Sequence, residues 1–260
     1  MSQVNRLLLE QNLRTLKLPT MLRECARLSR EAASAGSSYE DYLEKLSELE
    51  VSQRSSNAIT NRIRAAGFPL LKDLESFDFT LTPSLSKQKV LELARGEWIR
   101  EHYNCCLIGN SGTGKTHLAV ALGQSACRHG RHVRFHTAAN LVNQLQEAQK
   151  QYRLEKFLSA LERVDLLVVD ELGYLSLSES GAELLFQVFA ERYERGSILI
   201  TSNLPFGEWG GVFKNERMTA ALLDRLTHRC HILECNGESY RFRQSSKPTK
   251  EKNEKVLTKG

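Results

Sequence analysis

Hydrophobic residues in the first seventy positions recur at the spacing of amphipathic helices. Between residues 3 and 30 this spacing predicts one helix, or two helices that meet near Pro19. A loop is expected at 32–38, and Ser38 followed by Asp41 resembles the capping box that opens the next helix. A third helix is predicted from about residue 52 to 66. Residues 1–70 are therefore predicted to form a small all-helical N-terminal domain.

After Pro83 the pattern changes to short apolar runs separated by longer helical segments, which is typical of an α/β domain with a parallel sheet. We place this domain at residues 71–244. Residues 245–260 are rich in lysine and poor in apolar residues, which predicts a basic disordered tail. The predicted strands are 105–108, 132–135, 166–170, 197–201 and 231–234, and the predicted helices between them are about 114–129, 138–150, 152–163 and 179–195.

The composition is that of a globular protein, because 41% of the 260 residues are hydrophobic and 26% are charged. No apolar run reaches the ~20 residues of a membrane span, and the first residues lack the pattern of a secretory signal. We therefore expect a cytoplasmic protein with no membrane partner and with reduced cysteines. The absence of a CxxC pair argues against a zinc site, and Cys105 and Cys106 are expected to be buried free thiols.

Charge is distributed unevenly along the chain. The formal net charge is +5, with +2 in residues 1–70, −2 in 71–240 and +5 in 241–260. Basic ends are typical of a protein that contacts a polyanion, although a basic tail is also a common solvated segment.

The most specific motif is a glycine-rich loop between a predicted strand and a predicted helix. Such a loop lets backbone N–H groups approach phosphates, and the N-terminus of the helix adds a favourable dipole. Lys115 is predicted to reach the β- and γ-phosphates of ATP, and the hydroxyl of Thr116 to bind Mg²⁺. The alternative is a glycine turn with an incidental Lys-Thr pair, which the strand–loop–helix context disfavours. The loop, which fits GxxxxGK[ST], consists of Gly109, Asn110, Ser111, Gly112, Thr113, Gly114, Lys115 and Thr116.

Polar residues end two further predicted strands. Asp170 and Glu171 follow the apolar run 166–169, about 55 residues after the glycine-rich loop. At the carboxyl edge of a parallel sheet, Asp170 is suited to hold Mg²⁺ and Glu171 to accept a proton from an attacking water. Asn203 follows another apolar run and is expected to contact the γ-phosphate or that water. The alternative for Asn203 is a strand that simply leads into a turn.

Five segments together resemble the IstB/DnaC-type AAA+ ATPases: GNSGTGKTHLAVALG, LLVVDELGYL, ITSNLPFGEW, ALLDRLTHR and GESYRFR. The chain is most similar to the IstB-like members, which are the transposition helper ATPases of bacterial insertion sequences. The resemblance implies an α/β AAA+ P-loop NTPase core whose five-stranded parallel sheet has the order 5-1-4-3-2, preceded by an N-terminal helical domain. It also implies a homo-oligomer with ATP at its subunit interfaces, double-stranded DNA as the IstB-like ligand, and a partner transposase.

The resemblance also assigns roles to individual residues. It matches Asn203 to the sensor on the fourth core strand, and Lys115, Thr116, Asp170 and Glu171 to the phosphate loop and the acid pair described above.

Two arginines receive roles from the resemblance alone. Arg225 aligns with the arginine finger that the family offers to a neighbour's ATP, and Arg241 with a second sensor arginine in a core with a much reduced helical lid. An arginine suits the finger because it stays charged at any working pH. From the residues alone, Arg217 and Arg229 are rivals for the finger, and a surface or intrachain ion pair is the alternative for Arg225.

A basic helical domain beside an ATPase core is expected to contact DNA phosphates. Because no helix-turn-helix signature is present, binding through the DNA backbone is expected in place of base readout. Charged residues on exposed helix faces are also common without any ligand. The candidate contacts are Arg14, Lys17, Arg54, Arg62 and Arg64.

The sequence therefore predicts a Mg²⁺-dependent ATPase that oligomerises on duplex DNA and assists a transposase. The nearest alternative is a DnaC-like loader of the replicative helicase, which favours single-stranded DNA. A small-molecule phosphotransferase needs no glutamate to activate water, so Glu171 argues against it. The third alternative is an ATP-gated adaptor that does not hydrolyse ATP.

Overall fold

The computed structural model describes residues 3–237 and 239–240. The chain divides into two compact units, Met1–Asn61 and Arg62–Gly260. The predicted domain limits at residues 70 and 244 stay predictions, and the predicted tail at 245–260 lies outside the described residues. Within those residues, no helix combines the length and the apolar character that a bilayer crossing requires.

Three helices begin the chain: α1 (Gln3–Thr15), α2 (Pro19–Ala35) and α3 (Tyr39–Ala66). The two-helix version of the first prediction is confirmed, because Pro19 occupies the start of α2, where its missing N–H is tolerated. The capping box is also confirmed, since the backbone N–H of Asp41 donates to Ser38 Oγ and that of Ser38 donates to Asp41 Oδ2, both at 3.1 Å.

Two sequence predictions for this region are wrong. The loop predicted at 32–38 is shorter, because α2 continues to Ala35 and ends at Gly36 in the left-handed conformation. The helix predicted to begin near residue 52 has no separate start, because α3 runs unbroken from Tyr39 to Ala66. Neither glycine nor proline occurs between these two residues, so nothing in the local sequence ends the helix.

The interior of the first unit contains a buried carboxylate. Glu50 accepts hydrogen bonds from the backbone N–H groups of Thr20 (2.8 Å) and Met21 (3.0 Å) at the start of α2, and from Arg54 Nε (2.9 Å). Burial raises the pKa of Glu50, but these hydrogen bonds outweigh it and leave the pKa below its usual value. Glu50 therefore ties α3 to the N-terminus of α2, beside the buried side chains of Leu28 and Leu46.

The second unit is an α/β domain with five strands. They are β1 (Asn104–Ile108), β2 (Val133–Thr137), β3 (Leu166–Leu172), β4 (Ser197–Ser202) and β5 (Cys230–Glu234). The helices are α4 (Lys87–Ala94), α5 (Glu97–Arg100), α6 (Lys115–Arg128), α7 (Ala138–Lys150), α8 (Leu154–Glu162), α9 (Glu179–Arg192), α10 (Trp209–Phe213) and α11 (Glu216–Thr227). Short 3-10 helices form at Phe79–Leu81 and Phe206–Glu208.

All five strands are parallel, and their order across the sheet is β2-β3-β4-β1-β5. The order 5-1-4-3-2 implied by the resemblance is therefore confirmed. Successive side chains alternate between the two faces of the sheet, each of which has its own apolar core. On β3, Leu167 and Val169 pack among α7, α8 and α9, whereas Leu166 and Val168 pack with α4 and α6. Both faces are covered, so the central strands β1, β3 and β4 contain continuous apolar runs.

The pair Cys105 and Cys106 follows the same alternation. Both thiols are free and buried, one in each core, as predicted. Burial holds the pKa of Cys105 well above its usual value, and the contact with Cys230, together with burial, does the same for the pKa of Cys106. These cysteines therefore act as small core residues.

Candidate nucleotide-binding site

The glycine-rich loop connects β1 to α6, as predicted, and two of its glycines occupy positions that a side chain would block. Gly109 has a φ of 151°, and a Cβ there would overlap the carbonyl oxygen of Cys235. Gly114, at the start of α6, has a φ of 88°, and a Cβ there would overlap the ring of Phe77. The loop is therefore held close to its neighbours by backbone positions that only glycine fills without strain.

Lys115 is folded over this loop. Its ammonium group donates to the carbonyl oxygens of Gly109 and Asn110, both at 2.6 Å. Thr113 Oγ1 also donates to the carbonyl of Asn110, at 2.9 Å. Two carbonyls of the loop therefore hold the Lys115 ammonium, and Lys115 itself is the first residue of α6, whose N-terminus favours an anion.

A second cluster lies where α6 meets the ends of β3 and β4. Thr116 Oγ1 lies 3.0 Å from both carboxylate oxygens of Asp170, and Thr201 Oγ1 donates to Asp170 Oδ1 at 2.5 Å. Burial raises the pKa of Asp170, opposed by the hydrogen bonds from Thr201 and Thr116. A hydroxyl beside a carboxylate at the end of a phosphate loop is the kind of hard oxygen donor set that Mg²⁺ prefers, so the residues fit this ion.

Glu171 adopts an unusual backbone conformation. Its φ is 61°, which is rare for a residue other than glycine. The register between β3 and β4 shifts between Val169 and Leu172, so Asp170 and Glu171 form a bulge. The N–H of Glu171 finds its acceptor in a side chain, Thr201 Oγ1, at 2.9 Å. Bulges of this kind re-aim side chains next to functional sites.

These residues surround one cavity of about 620 Å³. Eight of the predicted site residues line the cavity, and Asp170 is hydrogen-bonded to one of them, Thr116. The eight are Ser111, Gly112, Thr113, Gly114, Lys115, Thr116, Glu171 and Asn203. Its size is within the range of small-molecule sites.

The opposite wall of the cavity is formed by residues 69–82, the segment before α4. The Phe77 ring packs edge-on against His117 and against Phe79. His117 Nε2 lies 2.7 Å from the carbonyl of Asp73, and Gln124 donates to the carbonyl of Lys72 at 2.7 Å. Two side chains of α6 thus hold this wall against the phosphate loop. Its lining residues include Pro69, Leu70, Lys72, Ser76, Phe77, Asp78, Leu81 and Thr82.

The chain returns to the loop after β5. The N–H of Cys235 donates to the carbonyl of Ile108 at 2.7 Å, and that of Tyr240 to the carbonyl of Gly112 at 3.0 Å. Tyr240 also lines the cavity. Arg241, the predicted second sensor, lies outside the described residues, directly after Tyr240 in sequence.

The predicted finger is not part of this cavity. Arg225 lies on α11, where its guanidinium is 5.5 Å from the centre of the Phe186 ring. Within the described part of the chain, Arg225 makes no ion pair. The rival Arg229 lies 5.8 Å from the ring centre of Tyr103, and the rival Arg217 is exposed at the start of α11.

The five basic residues predicted to contact DNA differ in what they bond. Arg54 donates to Glu50 and to the carbonyl of Lys17, and Arg62 donates to the carbonyl of Cys127 at 2.9 Å. Arg14 lies 3.8 Å from Glu10, and Arg64 is exposed on the last turn of α3. The role of all five in DNA binding stays a prediction.

Comparison with known proteins agrees with this architecture. The sequence model of one family, described as IstB-like ATP binding protein, matches residues 11–248. The ATP-binding protein of insertion sequence IS5376 from Geobacillus stearothermophilus is 38% identical over 229 residues, which are 88% of this chain and 91% of the relative. Its counterpart in insertion sequence IS21 from Pseudomonas aeruginosa is 36% identical over 92% of this chain and 90% of its own length.

Solved structures show the same fold. DnaA from Aquifex aeolicus bound to AMPPCP has a TM-score of 0.55 and 25% identity, over 68% of this chain and about half (54%) of the DnaA chain. DnaI has a TM-score of 0.51 and 17% identity, over 65% of this chain and 89% of its own, and shows the fold alone. The predicted AAA+ P-loop core is confirmed.

Proposed function

The chain belongs to the family of IstB-like ATP-binding proteins, and on that premise we propose that it is a Mg²⁺-dependent ATPase that assembles on duplex DNA in the cytoplasm and assists a transposase. The observation that carries the proposal is the single cavity that gathers Lys115, Thr116, Glu171 and Asn203 around the phosphate loop. A phosphate-binding loop alone would fit many nucleotide-binding proteins, whereas the additional glutamate and asparagine fit activation of a water molecule.

In this proposal, each side chain has one task. Lys115 leaves the carbonyls of Gly109 and Asn110 and binds the β- and γ-phosphates of ATP. Thr116 and Asp170 hold Mg²⁺, which when bound neutralises charge on the phosphate oxygens. Glu171 accepts the proton of the attacking water.

Two further side chains sense the nucleotide in this proposal. Asn203 orients the attacking water or the γ-phosphate from the end of β4. Arg241, which follows Tyr240 in sequence, takes the role of the second sensor arginine that the resemblance implies.

Arg225 completes the site of a neighbouring subunit in this proposal. The described part of the chain supplies no carboxylate partner for Arg225, and Arg225 does not line its own subunit's cavity. An arginine held on an aromatic face keeps its charge and its N–H donors available for an incoming phosphate. ATP bound between two copies therefore links them, and hydrolysis loosens the interface.

A mixing experiment tests this arrangement. Arg225→Ala and Lys115→Ala proteins are each expected to have little ATPase activity, the first because its neighbours lack a finger and the second because it binds ATP poorly. When they are mixed, a Lys115→Ala subunit can supply its Arg225 to the intact pocket of an Arg225→Ala subunit. Recovery of phosphate release in the mixture supports a finger in trans. Activity no higher than the sum of the separate proteins contradicts it.

DNA and transposase partners are proposed from the family and from charge. The relatives belong to insertion sequences, which are DNA elements, and the net charge of +5 favours a polyanion ligand. The helicase-loader alternative is separated by measuring ATPase stimulation with duplex and with single-stranded DNA of equal length. Stronger stimulation by duplex supports the transposition helper, and stronger stimulation by single strands supports the loader.

A further inference from the structure

One buried hydroxyl connects the two acids of the site. Thr201 Oγ1 donates its only hydrogen to Asp170 Oδ1 at 2.5 Å and accepts the backbone N–H of Glu171 at 2.9 Å. Thr201 lines the cavity but is only 1% exposed, so both hydrogen bonds are largely shielded from solvent. The same oxygen therefore fixes the carboxylate of Asp170 and the backbone of Glu171 at once.

The backbone explains why a side chain is needed there. The bulge at Asp170 and Glu171 interrupts the ladder between β3 and β4, which resumes with Leu172 opposite Ser202. The hydroxyl of Ser202 donates to the carbonyl of Leu172 at 2.7 Å, on the far side of the bulge. Two consecutive hydroxyls of β4 thus take over the hydrogen bonds that the strand backbones cannot make.

The conformation of Glu171 depends on this support. A φ of 61° is unfavourable for a residue with a side chain and persists only when its surroundings hold it. Without an acceptor for its N–H, Glu171 gains freedom to return to an ordinary strand conformation. That change moves its carboxylate relative to Asp170 and to the phosphate loop.

We propose that Thr201 is a positioning residue of the hydrolytic site, whose hydroxyl sets the orientation of Glu171 relative to Asp170. This inference rests on the proposed ATPase function. Thr201 holds the proton acceptor in place and takes no proton from the attacking water. Loss of the hydroxyl is therefore expected to slow turnover much more than it weakens ATP binding, because Lys115 and the loop supply most of the contacts to the phosphates.

Two comparisons isolate the hydroxyl: wild type with Thr201→Val, and Thr201→Ser with Thr201→Ala. Thr201→Val keeps the branched shape and removes the oxygen, whereas Thr201→Ser keeps the oxygen and removes the methyl group. Thr201→Ala then differs from Thr201→Ser by the oxygen alone, which gives a comparison that does not depend on folding of the valine variant. Thr20→Val, at a buried threonine of the first unit, is the control for valine at a buried threonine.

The measurements are kcat, the KM for ATP, the Kd of a slowly hydrolysed ATP analogue and the melting temperature. We expect Thr201→Val and Thr201→Ala to lower kcat by about 10- to 100-fold, because small displacements of a reacting group have effects of this size. KM and Kd should change by less than about threefold, and Thr201→Ser should retain most of the wild-type kcat.

The other possible results contradict either the proposed role of Thr201 or the proposed ATPase function. Wild-type kcat in Thr201→Val or Thr201→Ala contradicts the inference, and so does an equal loss in Thr201→Ser and Thr201→Ala, which would assign the effect to packing. A loss confined to analogue affinity also contradicts it. If the wild-type protein releases no phosphate under any condition, the proposed function itself fails.

Discussion

The guanidinium of Arg225 on α11 lies over the ring of Phe186 on α9, 5.5 Å from the ring centre. The helices α9 and α11 cover the same face of the sheet, and Phe186 packs against the apolar core of that face. The aromatic ring therefore limits where the exposed guanidinium can move. If Arg225 serves a neighbouring site, Phe186 determines how well it is aimed before the subunits meet.

We expect Phe186→Leu to reduce ATPase activity about fivefold, which corresponds to the ~1 kcal/mol of a partly exposed cation–π contact. Affinity for an ATP analogue in the isolated subunit should not change, because Phe186 does not line the nucleotide cavity. Tyr103→Leu, which removes the ring beneath Arg229, is the matched control. A larger effect of Tyr103→Leu would favour Arg229 as the finger.

Lys115→Ala is expected to weaken binding of a fluorescent ATP analogue at least tenfold, because the ammonium is the one cationic side chain in the loop. The effect should be measured by titration under conditions in which the protein is folded. Lys89→Ala, which removes a half-buried lysine that pairs with Glu92 on α4 and does not line the cavity, should bind as the wild type does. Equal affinities for all three proteins would exclude the loop as the phosphate site.

Glu50→Gln is expected to destabilise the first unit by about 1–3 kcal/mol at neutral pH, because a charged acceptor serves two N–H groups and Arg54. Since the pKa of Glu50 is lowered by folding, this stabilisation is complete above the unfolded pKa near 4.5 and is lost as the pH falls through the folded pKa.

Hydrogen exchange at the amides of Thr20 and Met21 measures the effect of Glu50. Wild-type protection at these amides should fall on acidification below about pH 4.5, whereas Glu50→Gln should be less protected and depend less on pH. Glu48→Gln, at an exposed neighbour on the same helix, should match the wild type. Unchanged protection in Glu50→Gln would show that the buried carboxylate does not stabilise the contact between α2 and α3.

Arg192→Met is expected to destabilise the α/β unit by on the order of 3 kcal/mol, because buried carbonyls would lose their donor. The guanidinium donates to the carbonyls of Leu161 (2.6 Å), Val164 (2.9 Å) and Ser197 (2.9 Å). Burial lowers its pKa to about 10, so it is charged at neutral pH. Urea unfolding provides the measurement, with the exposed Arg195→Met as control. Equal midpoints for the two variants would contradict this expectation.

DNA affinity should fall with salt, and the two arginines at the end of α3 should contribute differently. Arg64 is exposed, so Arg64→Ala should reduce the slope of log affinity against log salt by about 0.9 if it contacts one phosphate. Arg62 donates to the carbonyl of Cys127, so Arg62→Ala should change that slope less. A slope that neither variant alters would exclude this end of α3 from the DNA contact.

Local motifs were the part of the site that sequence could predict. The loop 109–116 is one continuous stretch of sequence, and so is the acid pair. The chemistry of each requires particular residue types at fixed spacing. The capping box was predictable for the same reason, since its two hydrogen bonds join Ser38 and Asp41, three residues apart. The strand order came from the family resemblance, because strand periodicity carries no information about which strands are neighbours.

Features that depend on distant segments were not predictable. The bulge at Glu171 is stabilised by Thr201, thirty residues later, and no local pattern signals it. The wall at Phe77 is held by His117 and Gln124, whose side chains bond to backbone carbonyls that any residue could supply. The unbroken α3 was predicted as two helices, although no glycine or proline between Tyr39 and Ala66 divides it.

The phosphate loop is enclosed by two segments that are far from it in sequence. From the first segment, the Phe77 ring covers Gly114, and Thr82 Oγ1 lies 3.4 Å from the carbonyl of Thr113. From the second segment, the N–H of Tyr240 donates to the carbonyl of Gly112. A hybrid that took only residues 109–116 from a relative would therefore combine a foreign loop with native walls. Engineers who exchange nucleotide sites between such proteins should transplant 69–82, 109–116 and 235–240 as one set.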